Sequence, residues 1–236
     1  MDAAGYTTLT RQSGLMREMA VVANNIANIS TTGFRREGVV FSEFVERMAS
    51  DPSLSMAYAS GRHVDMGQAT LSRTGGSFDF AIQGEGFFLI ETPQGERLTR
   101  AGNFTPSAEG ELVNMDGYRL LDAGGAPIFI PPDAKSVALA QDGTLSSGGQ
   151  PIARVGLWQP TDPLTLRHQA GTLFAAEELE PVDGGQIMQG MLEDSNVEPV
   201  SEIARMIEVQ RAYELGQKFL DAEDNRVRGV IQALGR

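Results

Sequence analysis

The chain has 236 residues, enough for one large domain or two modest ones with a core that stands without covalent staples. Its 19 Lys and Arg face 31 Asp and Glu, a formal net charge of −12, which excludes a protein that grips nucleic-acid phosphates or anionic lipid through a basic face. Cys is absent, so disulfides, thiolate metal ligands and thiol nucleophiles are excluded together, and only His63 and His168 remain as imidazoles.

No run approaches the roughly 18 consecutive apolar residues of a membrane span, so lipid insertion is not expected. Met1 is followed by Asp2 and the first cation is Arg11, a pattern without the basic flank of a cleaved secretory signal. The 27 Gly exceed the usual frequency of roughly 7% and favour turn-rich β-structure in part of the chain.

Residues 1–34 predict an N-terminal helix. From about Ala4 to Ile29 there is no Pro, and Leu15, Val22 and Ile29 recur every seven residues with Met19 and Ile26 beside them. On the adjoining side Met16, Ala20, Ala23 and Ala27 keep the surface narrow enough for another helix to approach. Gly33 is placed to stop the helix, with Ile29 and Phe34 as the apolar pair of a Schellman cap. Residues 35–75 predict an extended connector, because the stretch from 48 is rich in Ser, Ala and Gly with scattered Met.

Residues 76–174 predict a compact antiparallel β-rich domain. Phe78, Phe80 and Ile82 alternate with Asp79 and Ala81, and Phe87 to Ile90 is a continuous apolar run. Leu112-Val113 is joined to Tyr118–Leu121 across Asn114-Met115-Asp116-Gly117, a hairpin signal, and Ile152 to Trp158 reads as a late strand. Residues 175–195 predict a return connector. Residues 196–236 predict a C-terminal helix that starts at Pro199, with Asn196 and Glu198 as acceptors near its start, and runs to Leu234. Met206, Tyr213, Leu220, Val227 and Leu234 fall at seven-residue intervals, while Gln217 and Asp224 interrupt a second row that holds Ile203 and Ile231. The predicted fold class is α+β, a β-rich middle flanked by two long helices that pair antiparallel in a narrow coiled-coil-like seam or pack on another subunit.

Catalytic and ligand chemistry finds little footing. Glu177, Glu178, Glu180 and Asp183, or Asp116 and Asp122, offer paired carboxylates for a hydrolase, but a chain with 31 acids produces such clusters by composition. No G-x-S-x-G elbow accompanies His63 or His168. Gly84-Glu85-Gly86 lacks the third Gly of a dinucleotide fingerprint, since Leu89 stands there. A calcium loop built on Gly117 would need Glu at its twelfth position, where Ala123 stands. No catalytic residue, cofactor or metal site is assigned. The unusual feature is Asn24-Asn25-Ile26-Ala27-Asn28, three amides within about one and a half helical turns. The pattern permits two readings, register-setting amides in a helix seam or an exposed polar face, and Gln210-Arg211 with Tyr213 poses the same choice.

Taken together, these segments carry a resemblance. Ala23–Asn28 followed by Thr31-Thr32-Gly33-Phe34-Arg35 resembles the N-terminal signature of the bacterial flagellar axial proteins, the rod and hook subunits. Ser195–Val200, Glu202, Met206-Ile207, Gln210–Glu214 and Lys218 are similar to the matching C-terminal end. Asp79–Phe88, Thr99–Phe104 and Gly110-x-Leu112-Val113 agree with the middle of that family, so the resemblance spans nearly the whole chain. Glu198 stands where the pattern has Asn or Asp, and Ile29-Ser30 where Val-Asn is frequent. The resemblance implies a structural subunit without catalysis, in the rod of the flagellar basal body that crosses the periplasm and transmits torque for motility. Its length and the Met1-Asp2 opening with Tyr6 point to the proximal rod, with the distal rod as the alternative and a wall-active hydrolase as the reading from another class. The implied partners are copies of itself, other rod subunits and the flagellar type III export apparatus, which takes chains without a cleaved signal. The residues expected at subunit interfaces are Asn24, Asn25, Ile26, Ala27, Asn28, Gly33, Phe34, Asn196, Val197, Met206, Gln210, Arg211, Tyr213 and Leu220.

Overall fold

A computed structural model describes residues 3–46, 54–134, 136–182 and 184–234. It is α+β, and the chain divides into two compact units. One comprises residues 1–27, 37–63 and 198–236; the other comprises 28–36 and 64–197.

The first unit holds α1 (Ala3–Ala27), the paired strands β1 (Glu37–Glu46) and β2 (Leu54–Val64), and α2 (Pro199–Leu234). At 1.5 Å per residue the 25 residues of α1 span about 38 Å and the 36 of α2 about 54 Å. Pro199 opens α2 as expected, because its missing N–H falls among the donors that a helix start leaves unpaired. The helices run antiparallel. On α1 the buried positions are Gln12, Gly14, Glu18, Val21, Val22 and Asn25, so the inward face lies about one residue before the Leu15, Val22 and Ile29 row. On α2 the half-buried Met206, Tyr213 and Leu220 follow the seven-residue row, but its companion is Glu202, Val209 and Gly216, whereas Ile203 is 51% exposed.

Two expectations for the first 75 residues change. The helix ends at Ala27, and no Schellman cap forms. Gly33 has the positive φ of +69° that glycine tolerates, yet its N–H donates to Glu193 O at 2.8 Å and the Phe34 N–H to Thr31 O at 3.1 Å. The span read as a connector from 35 to 75 contains β1, β2 and the strand Leu71–Arg73; residues 47–53 within it lie outside the described residues. The Val, Phe and Tyr of β1 and β2 favour strands, but the Ser, Ala and Gly between them weaken the alternating signal.

The second unit is built on a seven-stranded antiparallel sheet. Its order is Arg167–Ala170, Leu173–Ala175, Gly95–Thr99, Phe88–Thr92, Arg119–Leu120, Leu112–Val113, Thr105–Pro106. Phe88 and Ile90 enter one core with Ile82, Phe104 and Leu145, while Phe87 and Leu89 enter a second with Leu98, Leu121 and Phe174. The sheet is therefore covered on both faces, which is why Phe87 to Ile90 reads as an unbroken apolar run. Full burial of each such side chain contributes about 1.5–3 kcal/mol.

The alternation expected around Phe80 is also corrected. Ala81 is as buried as Phe80 and Ile82, and the strand Phe80–Gln83 pairs with Gln186–Gln189. The Leu112-Val113 hairpin forms as expected: Val113 pairs with Arg119, Gly117 has φ +82°, and Asn114 Oδ1 accepts the N–H groups of Asp116 at 3.0 Å and Tyr118 at 2.9 Å. The late strand is split into Gln150–Arg154 and Trp158–Pro160, because Val155 turns away to bond Gly143. Residues 175–195, read as a return connector, instead carry the strands Leu179–Pro181, Gln186–Gln189 and Met191–Glu193 that complete this unit.

Candidate assembly interface

The residues expected at interfaces fall into three settings. The first is a buried junction in the helical unit. Asn25, fully buried, donates through Nδ2 to Glu37 O at 2.9 Å and to Glu202 Oε2 at 3.1 Å, and its Oδ1 accepts the Glu37 N–H at 3.0 Å. The amide thus mimics a neighbouring strand toward Glu37 and fixes where β1 leaves α1. Glu202 lies in the first turn of α2, where the partial positive charge of the helix N-terminus favours a carboxylate. Glu37 and Glu202 are 2% and 0% exposed, so every polar atom here depends on its neighbours.

The second setting is the turn after α1, which belongs to the β-rich unit. Asn28 O and Oδ1 accept the N–H and hydroxyl of Thr31. A Cβ on Gly33 would overlap the backbone of Arg100 and Ala101, so the chain passes where only glycine fits. Phe34 is fully buried, 5.5 Å edge-on to His168, whose ring packs on Phe174 at 5.1 Å. Asn196 ties three passes of the chain together. Its Nδ2 donates to Asp65 O and Gly67 O at 3.1 and 3.0 Å, its Oδ1 accepts the Arg36 N–H at 2.6 Å, and its own N–H reaches Phe34 O. Val197 beside it is buried. In this chain Asn25, Gly33, Phe34 and Asn196 are engaged internally.

The third setting is the pair of helices. Gln12 Nε2 donates to Tyr213 O at 2.9 Å, and Glu18 accepts from Arg205 Nε at 2.6 Å. Met206, Tyr213 and Leu220 are half-buried; Asn24 and Ile26 are half-buried on α1, whose Ala27 is exposed. Gln210 and Arg211 point outward, Gln210 Nε2 donating to Glu214 Oε1. Much of the apolar surface of α2 is uncovered, including Val200, Ile207, Leu215 and Phe219, and only Glu202 and Val209 along it are fully buried.

One cluster escaped the sequence reading. Glu193, fully buried, lies 2.9 Å from Arg35 Nη2 and 3.0 Å from Arg100 Nη1, and accepts the Ala69 N–H at 2.9 Å. Burial lowers both guanidinium pKa values, that of Arg100 to about 10, and Glu193 opposes the shift. Both stay charged at neutral pH, leaving two cations on one carboxylate. Arg35 was legible as the end of the Thr31–Arg35 motif, but Arg100 and Glu193 lie too far along the chain for any spacing rule to join them.

The acids considered for hydrolysis show a different environment. Glu177 and Glu178 are exposed, and Glu180 accepts the Gln159 amide at 2.6 Å; Asp183 lies outside the described residues.

Comparison with known proteins places this architecture. Residues 6–35 match the family described as flagella basal body rod protein, 81–147 the flagellar hook protein FlgE/F/G D1 domain, and 188–232 the flagellar basal body rod FlgEFG protein C-terminal family. The chain belongs to the flagellar basal-body rod protein family. It is 39% identical over 243 residues to the flagellar basal-body rod protein FlgF of Caulobacter vibrioides, covering 100% of this chain and 99% of that protein. It is 40% identical over 219 residues to FlgF of Mesorhizobium japonicum, covering 89% and 88%. To the rod protein FlgG of Bacillus subtilis it is 30% identical over 259 residues, covering 96% and 97%.

Proposed function

We propose that the chain is a structural subunit of the proximal rod of the flagellar basal body, a torque-transmitting element without catalytic activity. It joins copies of itself and other rod subunits through α1 and α2, and reaches the periplasm through the flagellar type III apparatus. The carrying observation is the surface of α2, a helix of 36 residues whose apolar side chains are largely exposed although it stands in a chain of net charge −12. Such a face has little reason to exist on a protein that works alone. Asn24, Ile26, Ala27, Met206, Gln210, Arg211, Tyr213 and Leu220 are the side chains this reading places near neighbouring subunits, in a coiled-coil-like core. Asn25, Gly33, Phe34, Asn196 and Val197 then act by holding the chain's own junctions.

The test is to delete the gene, complement it with a tagged copy and isolate basal bodies. Recovery of the tagged chain in rods, with loss of swimming in the deletion, supports the reading. Normal rods and swimming without the chain would overturn it. The likeness to FlgG supports a distal-rod position as the second reading. Basal bodies from the deletion strain separate the two: a rod that breaks off before its proximal part is complete supports the proximal position, and a complete proximal rod that lacks only its distal segment supports the distal one.

A further inference from the structure

The chain passes between its two units four times, at 27–28, 36–37, 63–64 and 197–198. Within the β-rich unit, the residues beside three of those passages meet at one point. The Asp65 N–H donates to Arg36 O at 2.8 Å, the Arg36 N–H to Asn196 Oδ1 at 2.6 Å, and the Asn196 N–H to Phe34 O at 3.3 Å. Asn196 Nδ2 closes the ring on Asp65 O and Gly67 O at 3.1 and 3.0 Å. The fourth passage enters through a short turn, in which the Thr31 N–H donates to Asn28 O and the Phe34 N–H to Thr31 O, both at 3.1 Å. All four connections therefore leave from one hydrogen-bonded joint.

The floor of the joint is fixed from beneath. The Gly33 N–H donates to Glu193 O at 2.8 Å, and Phe34 and Arg35 are 0% and 1% exposed. Arg35 Nη1 donates to Gly67 O while its Nη2 pairs with Glu193, whose second oxygen holds Arg100. Glu193 stands three residues before Asn196, so a single pass of the chain supplies both the floor and the cross-ties. A shift of any one pass breaks bonds to at least two others, several of them buried and costly to leave unmade.

We infer that this joint is a mechanical coupling, through which force passes between the helices and the β-rich unit, and that Asn196 is the side chain that shares the force among the passes. This deepens the rod reading and rests on it. Units that need only be connected are joined by exposed, flexible links with few contacts. A link of that kind would let the helices turn without the β-rich unit. Here each link is tied to its neighbours before it leaves, so a pull on one is resisted by all.

The absence of Cys allows force to be applied at chosen points of the full-length chain. Ser201→Cys and Met115→Cys, both at exposed positions, place handles on α2 and on the hairpin of the β-rich unit, so that a pull in optical tweezers runs through the joint. Handles at Met115→Cys and Leu164→Cys, the latter position 87% exposed, pull on the β-rich unit alone. Adding Asn196→Ala is expected to lower the first rupture force about twofold for the first pair and to leave the second pair unchanged. Amide protection of Phe88–Thr92 checks the fold; where Asn196→Ala loses it, Asn196→Asp, which keeps the acceptor for the Arg36 N–H, takes its place. An unchanged force for the first pair, or an equal drop for both pairs, would overturn the inference, the second because Asn196 then only stabilises its own unit. In the complemented deletion strain, the ratio of swimming speed in thickened to dilute medium is expected to fall about twofold with the same substitution, and an unchanged ratio in cells whose rods contain the chain counts against the coupling. If the unsubstituted chain is absent from rods, the rod reading falls, and the rupture forces still decide whether the joint carries force.

Discussion

Glu193 is a buried carboxylate paired with two buried guanidiniums, those of Arg35 and Arg100. Glu193→Gln removes the charge but keeps the shape, so the loss measures electrostatics. It is expected to destabilise the chain by about 3–5 kcal/mol, the usual consequence of leaving a buried charge unmatched, read as a lowered urea midpoint. Asn25 is the counterpart in the helical unit. Asn25→Ala leaves Glu37 N–H, Glu37 C=O and a Glu202 oxygen without their amide, and the expected loss is about 2–3 kcal/mol by the same measurement. An unchanged midpoint would show that water replaces the amide. Gly33→Ala combines a positive φ with overlap against Ala101, so it is expected to cost more than the roughly 1–2 kcal/mol of the backbone term alone.

The two helices differ in how much of them is held. From Pro199 to about residue 223, α2 lies along α1; beyond that no part of α1 among the described residues stands opposite it, and short unsupported helices are marginal in water. Amide hydrogen exchange on the dilute monomer should therefore be fastest for residues 225–234, slower for 199–223 and slowest for the central strand Phe88–Thr92. Equal protection along α2 would mean that the tail is already covered in the monomer. The small residues of α2 also have a reason. Gly216 sits where any larger side chain would strike Gln12, which explains a glycine inside a helix despite a cost of about 1 kcal/mol relative to Ala.

At the scale of the whole molecule, charge and apolar surface oppose each other. Copies of a chain with net charge −12 repel, while the exposed faces of α1 and α2 favour association. Raising salt from about 0.05 M to 0.3 M shortens the screening length and should strengthen self-association, followed by light scattering. Weakening with salt would mean that ion pairs between copies, and not apolar contacts, hold them together.

Periodicity and end signals are local, so the sequence by itself determined the two helices, the start of α2 at Pro199, the Asn114–Gly117 hairpin and the family to which the whole belongs. The doubly covered strand at Phe87 to Ile90 was visible as an apolar run, but which residue entered which core was not. The structure alone decided the partners of Asn25, Asn196 and Glu193, the strand pairing in residues 37–64, and the strands after Ala175. Each of these joins groups tens or hundreds of residues apart, where burial makes a hydrogen bond or ion pair obligatory and no spacing rule in the chain can announce it.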